Sequence, residues 1–260
     1  MRQLICGVIL LLTVPLSAGQ RCLTLKARGT ELWVGTGSAA RFLISDSLGI
    51  EKPEWSPDGQ RIAYMHAAPQ SPNHITDLIV LDTREMSLTP VANLTWEDSV
   101  KGILSLGWHG DDAVWIEGHV NPSTNIYYEW NVTTKERVRN VGGMRFAWSP
   151  DGRHLAYLEH RAHFTPDASR PPEIVVDGRR IWSATDAQLR IQSPLTWSAD
   201  SKKLAFISSD RAESALKVID VSGRADVRSL SVGEAHPARV QWHGERPVPL
   251  NAEDDECQPK

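Results

Sequence analysis

The sequence predicts an all-β fold: a β-propeller of four-stranded blades, five in number, closed by pairing of N- and C-terminal strands. Three observations predict it. The phrase WSPDG stands at residues 55–59 and again at 148–152, with WSADS as a worn copy at 197–201. Five tryptophans at equivalent places, Trp55, Trp108, Trp148, Trp197 and Trp242, are separated by 53, 40, 49 and 45 residues, a period of propellers and solenoids. Between them a second hairpin pattern recurs, so each unit holds four strands, as a blade does.

Each element has a local reason. PEWSPDGQRIAYMHA from Pro53, FAWSPDGRHLAYLEH from Phe146 and LTWSADSKKLAFISS from Leu195 each read as a strand, a tight turn and a second strand. In the turn, proline presets φ, Asp58, Asp151 and Asp200 can each bond their own backbone, and glycine accepts the positive φ that closes the hairpin. After it, IAYM, LAYL and LAFI are apolar runs of buried-strand type. Fainter copies, LGWHGDDAVWIEG from Leu106 and VQWHGERPVPL from Val240, keep their tryptophans. The second hairpins are DLIVLDTREMSLTPVA from Asp77, YYEWNVTTKERVRNV from Tyr127, EIVVDGRRIWSA from Glu173 and ALKVIDVSGRADVRSLS from Ala215. Before Trp55, ELWVGTGSAARFLIS from Glu31 reads as a second hairpin without its first, and after Trp242 there is room only for a first. Joining the two ends gives a wrap of 54 residues from Trp242 to Lys260 and on from Gln20 to Trp55, in line with the other gaps. Closure protects edges that an open array would expose. Six blades fit if one long gap hides a degenerate blade.

The first nineteen residues, MRQLICGVILLLTVPLSAG, carry an early arginine, a short apolar run, and Ser17 and Gly19 at the −3 and −1 positions of a cut before Gln20. That is the pattern of a secretory signal peptide, with residues 20–260 as a single propeller domain and an address in the periplasm or outside the cell. Removing Cys6 with the leader leaves Cys22 and Cys257 at opposite ends of the chain. In an oxidising compartment such a pair invites a disulfide, the alternative being two unpaired thiols. Ring closure would bring the two together.

The repeat WSPDGxxIAY followed by a DLIVLD-type strand resembles the TolB-type, WD-like propeller family, over nearly all of residues 20–260. The resemblance implies a propeller fold and an envelope protein that works with partners.

Chemistry is harder to find. With 28 Lys+Arg against 32 Asp+Glu and a net charge of −4, no broad basic surface of the nucleic-acid type exists. There is no GxSxG elbow, phosphate loop, HExxH or paired CxxC, so no metal and no cofactor is expected. In an antiparallel blade, the turns joining first to second strands share one end with those joining third to fourth. The opposite end carries the long segments, and binding residues favour such loops on a rigid scaffold. The candidates there are His66, His74, His119, Glu159, His160, Arg161, His163, Asp210 and Arg211. These observations favour a non-enzymatic module that binds a protein or an envelope component through its long-loop face. The alternative is a small propeller glycosidase or sugar-binding protein using carboxylates at the channel mouth. Asp58, Asp151 and Asp200 already have a role in their turns, and Asp111 and Asp112 hold an equivalent place.

Overall fold

The computed structural model describes residues 24–35, 40–66, 74–95, 100, 102–120, 124–159, 171–186, 189–209, 214–221, 228–231 and 239–250. Every regular element among them is a β-strand. A three-stranded sheet comes first, of β1 (Thr24–Arg28), β2 (Glu31–Gly35) and β3 (Arg41–Ser45). A four-stranded sheet follows, of β4 (Glu51–Trp55), β5 (Arg61–Met65), β6 (His74–Asp82) and β7 (Ser87–Thr95). Next, β8 (Gly102–His109), β9 (Ala113–Val120), β10 (Thr124–Asn131), β11 (Arg137–Trp148), β12 (Leu155–Glu159), β13 (Glu173–Val176) and β14 (Arg179–Ser183) run as one seven-stranded path. It is two units fused through β11, whose first half pairs with β10 and whose second half pairs with β12. Then come β15 (Arg190–Ile191), β16 (Thr196–Trp197), β17 (Lys203–Ser209), β18 (Ser214–Asp220) and β19 (Arg228–Ser231), and last the hairpin of β20 (Arg239–His243) and β21 (Arg246–Leu250).

The apolar runs of the middle units are continuous because those sheets are covered on both faces. Alternate residues of a strand point to opposite faces. Ile62 and Tyr64 of β5 accordingly enter the core shared with β1–β3, whereas Ala63 and Met65 enter the core shared with β8–β10. In β17, Leu204 and Phe206 pack against β12–β14, while Ala205 and Ile207 pack toward β20. Tyr64, Met65, Leu204, Phe206 and Ile207 are almost wholly buried, each such side chain contributing about 1.5–3 kcal/mol. Five cores thus separate six successive sheet units, and the units stack face to face.

The first strands of the units lie innermost: β4 touches β8, the second half of β11 touches β16, and β16 touches β20. Three of them are bulged near their start, at Glu51–Glu54, Ile103–Ser105 and Met144–Ala147. Lys52 and Arg145 occupy two of these bulges in the left-handed region, at φ 51° and 56°.

The N-terminal sheet differs from the sequence expectation by one strand. TLKAR folds back on ELWVG through Gly29, at φ 63°, so three strands form where a single hairpin was read. The turn at Gly29 and Thr30 bonds the segment 46–50, and Asp46 in that segment bonds His66 at the end of β5. The β1–β2 turn therefore lies at the long-loop end, which makes β1, β2 and β3 the second, third and fourth strands of a unit whose first strand is not among them. No described ladder joins this sheet to β20–β21.

Candidate functional site

The two ends of the stack are built differently. At the short-turn end the Ser-x-Asp turns form identical knots: Ser56, Ser149 and Ser198 each donate to the aspartate two residues on, at 2.6 Å. The hydroxyls also accept the backbone N–H groups of Arg61, His154 and Lys203. The Ser149 and Ser198 hydroxyls hold the Asp151 and Asp200 carboxyls below their usual range, and the Ser56 hydroxyl does the same to Asp58 against an opposing effect of partial burial.

Successive turns are tied from unit to unit. The Asp58 N–H donates to Asp111 Oδ1 at 3.0 Å, His109 Nε2 donates to the Gly152 carbonyl at 2.8 Å, and the Asp151 N–H donates to Ser201 Oγ at 3.2 Å.

The repeated tryptophans tie the inner strands in the same sense. Trp108 Nε1 donates to the Glu54 carbonyl at 3.0 Å, Trp197 to that of Ala147 at 3.0 Å, and Trp242 to that of Thr196 at 3.2 Å. In every case the acceptor is the residue before the preceding anchor. Trp148 departs from the rule because Trp115 fills the space over Gly107, where an added Cβ would stand 2.5 Å from its ring. Trp148 turns instead to the Tyr127 hydroxyl at 2.7 Å and stacks on His109 with centroids 3.5 Å apart. Trp55 Nε1 is buried and has no partner among the described residues.

The long-loop end holds two polar clusters. His66, only 8% exposed, lies with Nδ1 3.0 Å from Asp77 Oδ2 and Nε2 3.1 Å from Asp46 Oδ2. The Tyr64 hydroxyl donates to Asp46 at 2.6 Å and Asn93 Nδ2 donates to Asp77 at 2.8 Å. Burial opposes ionisation of Asp46, yet its bonds from Tyr64, Leu48 and His66 hold it below the usual carboxyl range, while burial and Asp46 push the Tyr64 hydroxyl up. In the next unit, buried Glu117 accepts Asn125 Nδ2 at 2.6 Å and the Arg145 backbone N–H at 3.2 Å. Asn125 in turn meets His119 at 3.3 Å. These carboxylates are occupied with neighbouring groups and serve to fix the strand ends.

Basic residues recur at this end of the stack. Lys52 on β4, Arg145 on β11, Arg190 on β15 and Arg239 on β20 all stand where inner strands begin, at the long-loop end. Lys52 and Arg190 are exposed, and Arg145 and Arg239 are half-buried. Burial lowers the guanidinium of Arg145 from its ordinary value against the pull of Glu117. On β8 the bulge instead presents Leu104, 50% exposed.

Of the residues singled out from sequence, His66 and His119 sit in or beside β5 and β9 with polar partners, and Glu159 ends β12 opposite Glu173. His74 opens β6. His160, Arg161, His163, Asp210, Arg211, Cys22, Cys257 and the leader lie outside the described residues. Among the described residues no group of three or more His, Cys, Asp or Glu side chains could hold a metal, and no helix is long and apolar enough to cross a membrane. The recurrence of basic residues at the inner-strand starts was missed, although its signal was present: Lys52, Arg145 and Arg239 stand three residues before an anchoring tryptophan, and Arg190 seven before.

No protein-family model and no curated protein matches the chain. Solved structures do. The β-propeller domain of the trilobed protease from Pyrococcus furiosus, an open-velcro propeller, superposes with a TM-score of 0.55 at 16% identity, over 85% of this chain and 69% of that one. An acylaminoacyl peptidase gives 0.53 at 13% identity, over 85% and 38% of the two chains. TolB from Acinetobacter baumannii gives 0.50 at 16% identity over 80% of this chain, which spans about half (52%) of TolB. At such identities the likeness is one of fold, and the fold is an all-β, TolB-like propeller.

Proposed function

We propose that this chain is an exported, non-enzymatic propeller that binds an acidic segment of a protein or cell-envelope component at the mouth of its long-loop end. The observation that carries the reading is the recurrence of a basic residue, Lys52, Arg145, Arg190 or Arg239, where four inner strands begin at the long-loop end. The leader-like first nineteen residues support export. Half-exposed Leu104 supplies an apolar contact beside the cations, and the bulges at Lys52 and Arg145 aim those residues away from the regular ladder.

The test uses a fluorescein-labelled octaglutamate peptide as a charge probe, followed by anisotropy at low and at physiological salt, with an octalysine peptide as control. The expected result is binding of octaglutamate alone, weakened by salt, and reduced about tenfold or more in the Arg145→Glu/Arg190→Glu variant. Equal binding by that variant, or none by the native protein at low salt, overturns the reading.

A further inference from the structure

At the short-turn end the repeat is varied in one place. In the unit of β4–β7, Arg61 stands six residues after Trp55 and lies over the next anchor, Trp108, with Cζ 5.3 Å from the ring centroid. It goes on to donate to the Asp111 carbonyl of the next turn. Six residues after Trp148 the chain has His154 instead. Its ring lies against the next anchor, Trp197, with centroids 6.1 Å apart and planes 25° apart. Its Nδ1 is held by Asp177 Oδ2 at 2.7 Å within its own unit, so no bond crosses from this position to the next turn. Between the unit of β12–β14 and that of β16–β18 a cleft of about 520 Å³ stands open, in the size range of small-molecule sites.

Its walls are apolar and its rim donates. Buried Val176, at the end of β13, and half-buried Val221, just after β18, form the walls. The bordering carboxylates are already engaged. Asp177 accepts His154 and, through Oδ1, the Leu155 N–H at 2.9 Å. In the two adjoining turns, Asp151 accepts Ser149 and the Arg153 N–H, and Asp200 accepts Ser198 and the Lys202 N–H.

The donors of the rim have capacity left. Lys202 is exposed, and its bonds among the described residues are made by its backbone alone. Arg179 gives one nitrogen to the Val221 carbonyl at 2.9 Å and retains the rest of its fork. The Ser201 hydroxyl accepts the Asp151 N–H and has its own proton to donate.

We infer that this cleft binds a small carboxylate with a short apolar body, the tail between Val176 and Val221 and the carboxylate on Lys202 and Arg179, with Ser201 as a neutral donor. Guanidinium and ammonium donors match a carboxylate, and beside apolar walls such bonds are screened less than on open surface. A cationic ligand would meet Lys202 and Arg179 with each bordering carboxylate already bonded. The Arg179–Val221 and Asp151–Ser201 bonds join the two units on either side, so the cleft is formed before the ligand arrives. This site lies at the opposite end of the stack from Lys52, Arg145, Arg190 and Arg239 and is independent of them.

The probe is hexanoate, titrated into the full chain to millimolar concentration and followed by NMR at the His154 ring and Val221 methyl signals, which are assigned with His154→Asn and Val221→Ala. 1-Hexanol and acetate are the tail-only and charge-only controls. The expected result is saturable movement of both signals by hexanoate, with each control at least about tenfold weaker. Lys202→Glu, which changes an exposed side chain with no bond in the fold, should weaken hexanoate about tenfold. Val221→Trp fills the cleft, leaves both cations in place, and should remove the response at His154. Either control binding as tightly as hexanoate, unchanged binding in Lys202→Glu, or no saturable shift in the native protein overturns the inference.

Discussion

His109 is the position at which a single substitution should report on how the units are tied. Its Nδ1 lies 2.7 Å from Glu129 Oε1 and its Nε2 bonds the Gly152 carbonyl, so both nitrogens donate and the ring is held as imidazolium. Glu129 is 3% exposed, and its remaining partners are the Tyr127 hydroxyl at 2.8 Å and Arg139 at 3.5 Å. Removing His109 takes away one charge-assisted bond of about 1.5–3 kcal/mol and part of the compensation of a buried carboxylate. It also unstacks Trp148. His109→Ala should therefore cost about 3 kcal/mol in urea unfolding, and adding Glu129→Gln should recover part of that loss.

The pH dependence follows in sign. Burial lowers the His109 pKa, but its bonds to Glu129 and Gly152 outweigh this and raise it above 6.5. Its contribution is full below that value and is lost as pH rises through the folded pKa. Burial raises Glu129, but His109 and Tyr127 pull it below 4.5, so its contribution is present above that value and lost as pH falls through the folded pKa. Stability should thus be greatest between the two unfolded values, about 4.5 and 6.5, as far as this pair governs it. A His109→Ala cost under about 1 kcal/mol, or an unaltered fall in stability above pH 6.5 in that variant, would refute the account of a charged tie.

Other substitutions probe the repeat at separate points. Trp197→Phe keeps the packing of a ring but orphans the Ala147 carbonyl, and should cost about 2 kcal/mol by denaturant titration. Ser201 sits at φ 59° where the other turns have glycine, and its hydroxyl accepts the Asp151 N–H. Ser201→Gly should accordingly be close to neutral, relief of strain offsetting the lost bond, whereas Ser201→Ala should lose about 1 kcal/mol in the same assay. Gly107→Ala drives a methyl into Trp115 and, through its stack on Tyr127, into the His109 network. Loss of about 2 kcal/mol, read as a lowered Tm, is the expected outcome.

The strands that were legible in the sequence are those whose apolar run is bounded by a turn with its own chemistry. IAYM and LAFI follow turns that close on themselves through Ser56 with Asp58 and Ser198 with Asp200, so local pattern and tertiary place agree. β1 was not legible: TLKAR is short, polar at alternate positions, and is ordered by Gly29 and by packing of Leu25 and Ala27 against a core built from later residues. The fusion of two units through β11 was hidden for a different reason: Gly142-Gly143 reads as a break between strands, yet the backbone runs through it as one continuous strand. The histidines that looked like loop residues owe their partners, Asp46, Asp77 and Asn125, to pairings across strands that a linear reading does not bring together.

The two ends differ in what they leave unspent. At the short-turn end several polar groups engage the next unit: Asp58 with Asp111, His109 with Gly152, Asp151 with Ser201, and three indoles with backbone carbonyls. At the other end the carboxylates of Asp46, Asp77 and Glu117 bond His66, Asn93, Asn125 and the Arg145 backbone. A base tied from unit to unit is a physical arrangement for recognition at the opposite mouth, since the scaffold fixes the spacing of the side chains before a ligand arrives. By the same argument, weakening the base should loosen the mouth: His109→Ala, far from any cation at the inner-strand starts, should reduce octaglutamate affinity severalfold at a temperature where the variant is still folded. Unchanged affinity would mean that each half of the stack holds its end independently.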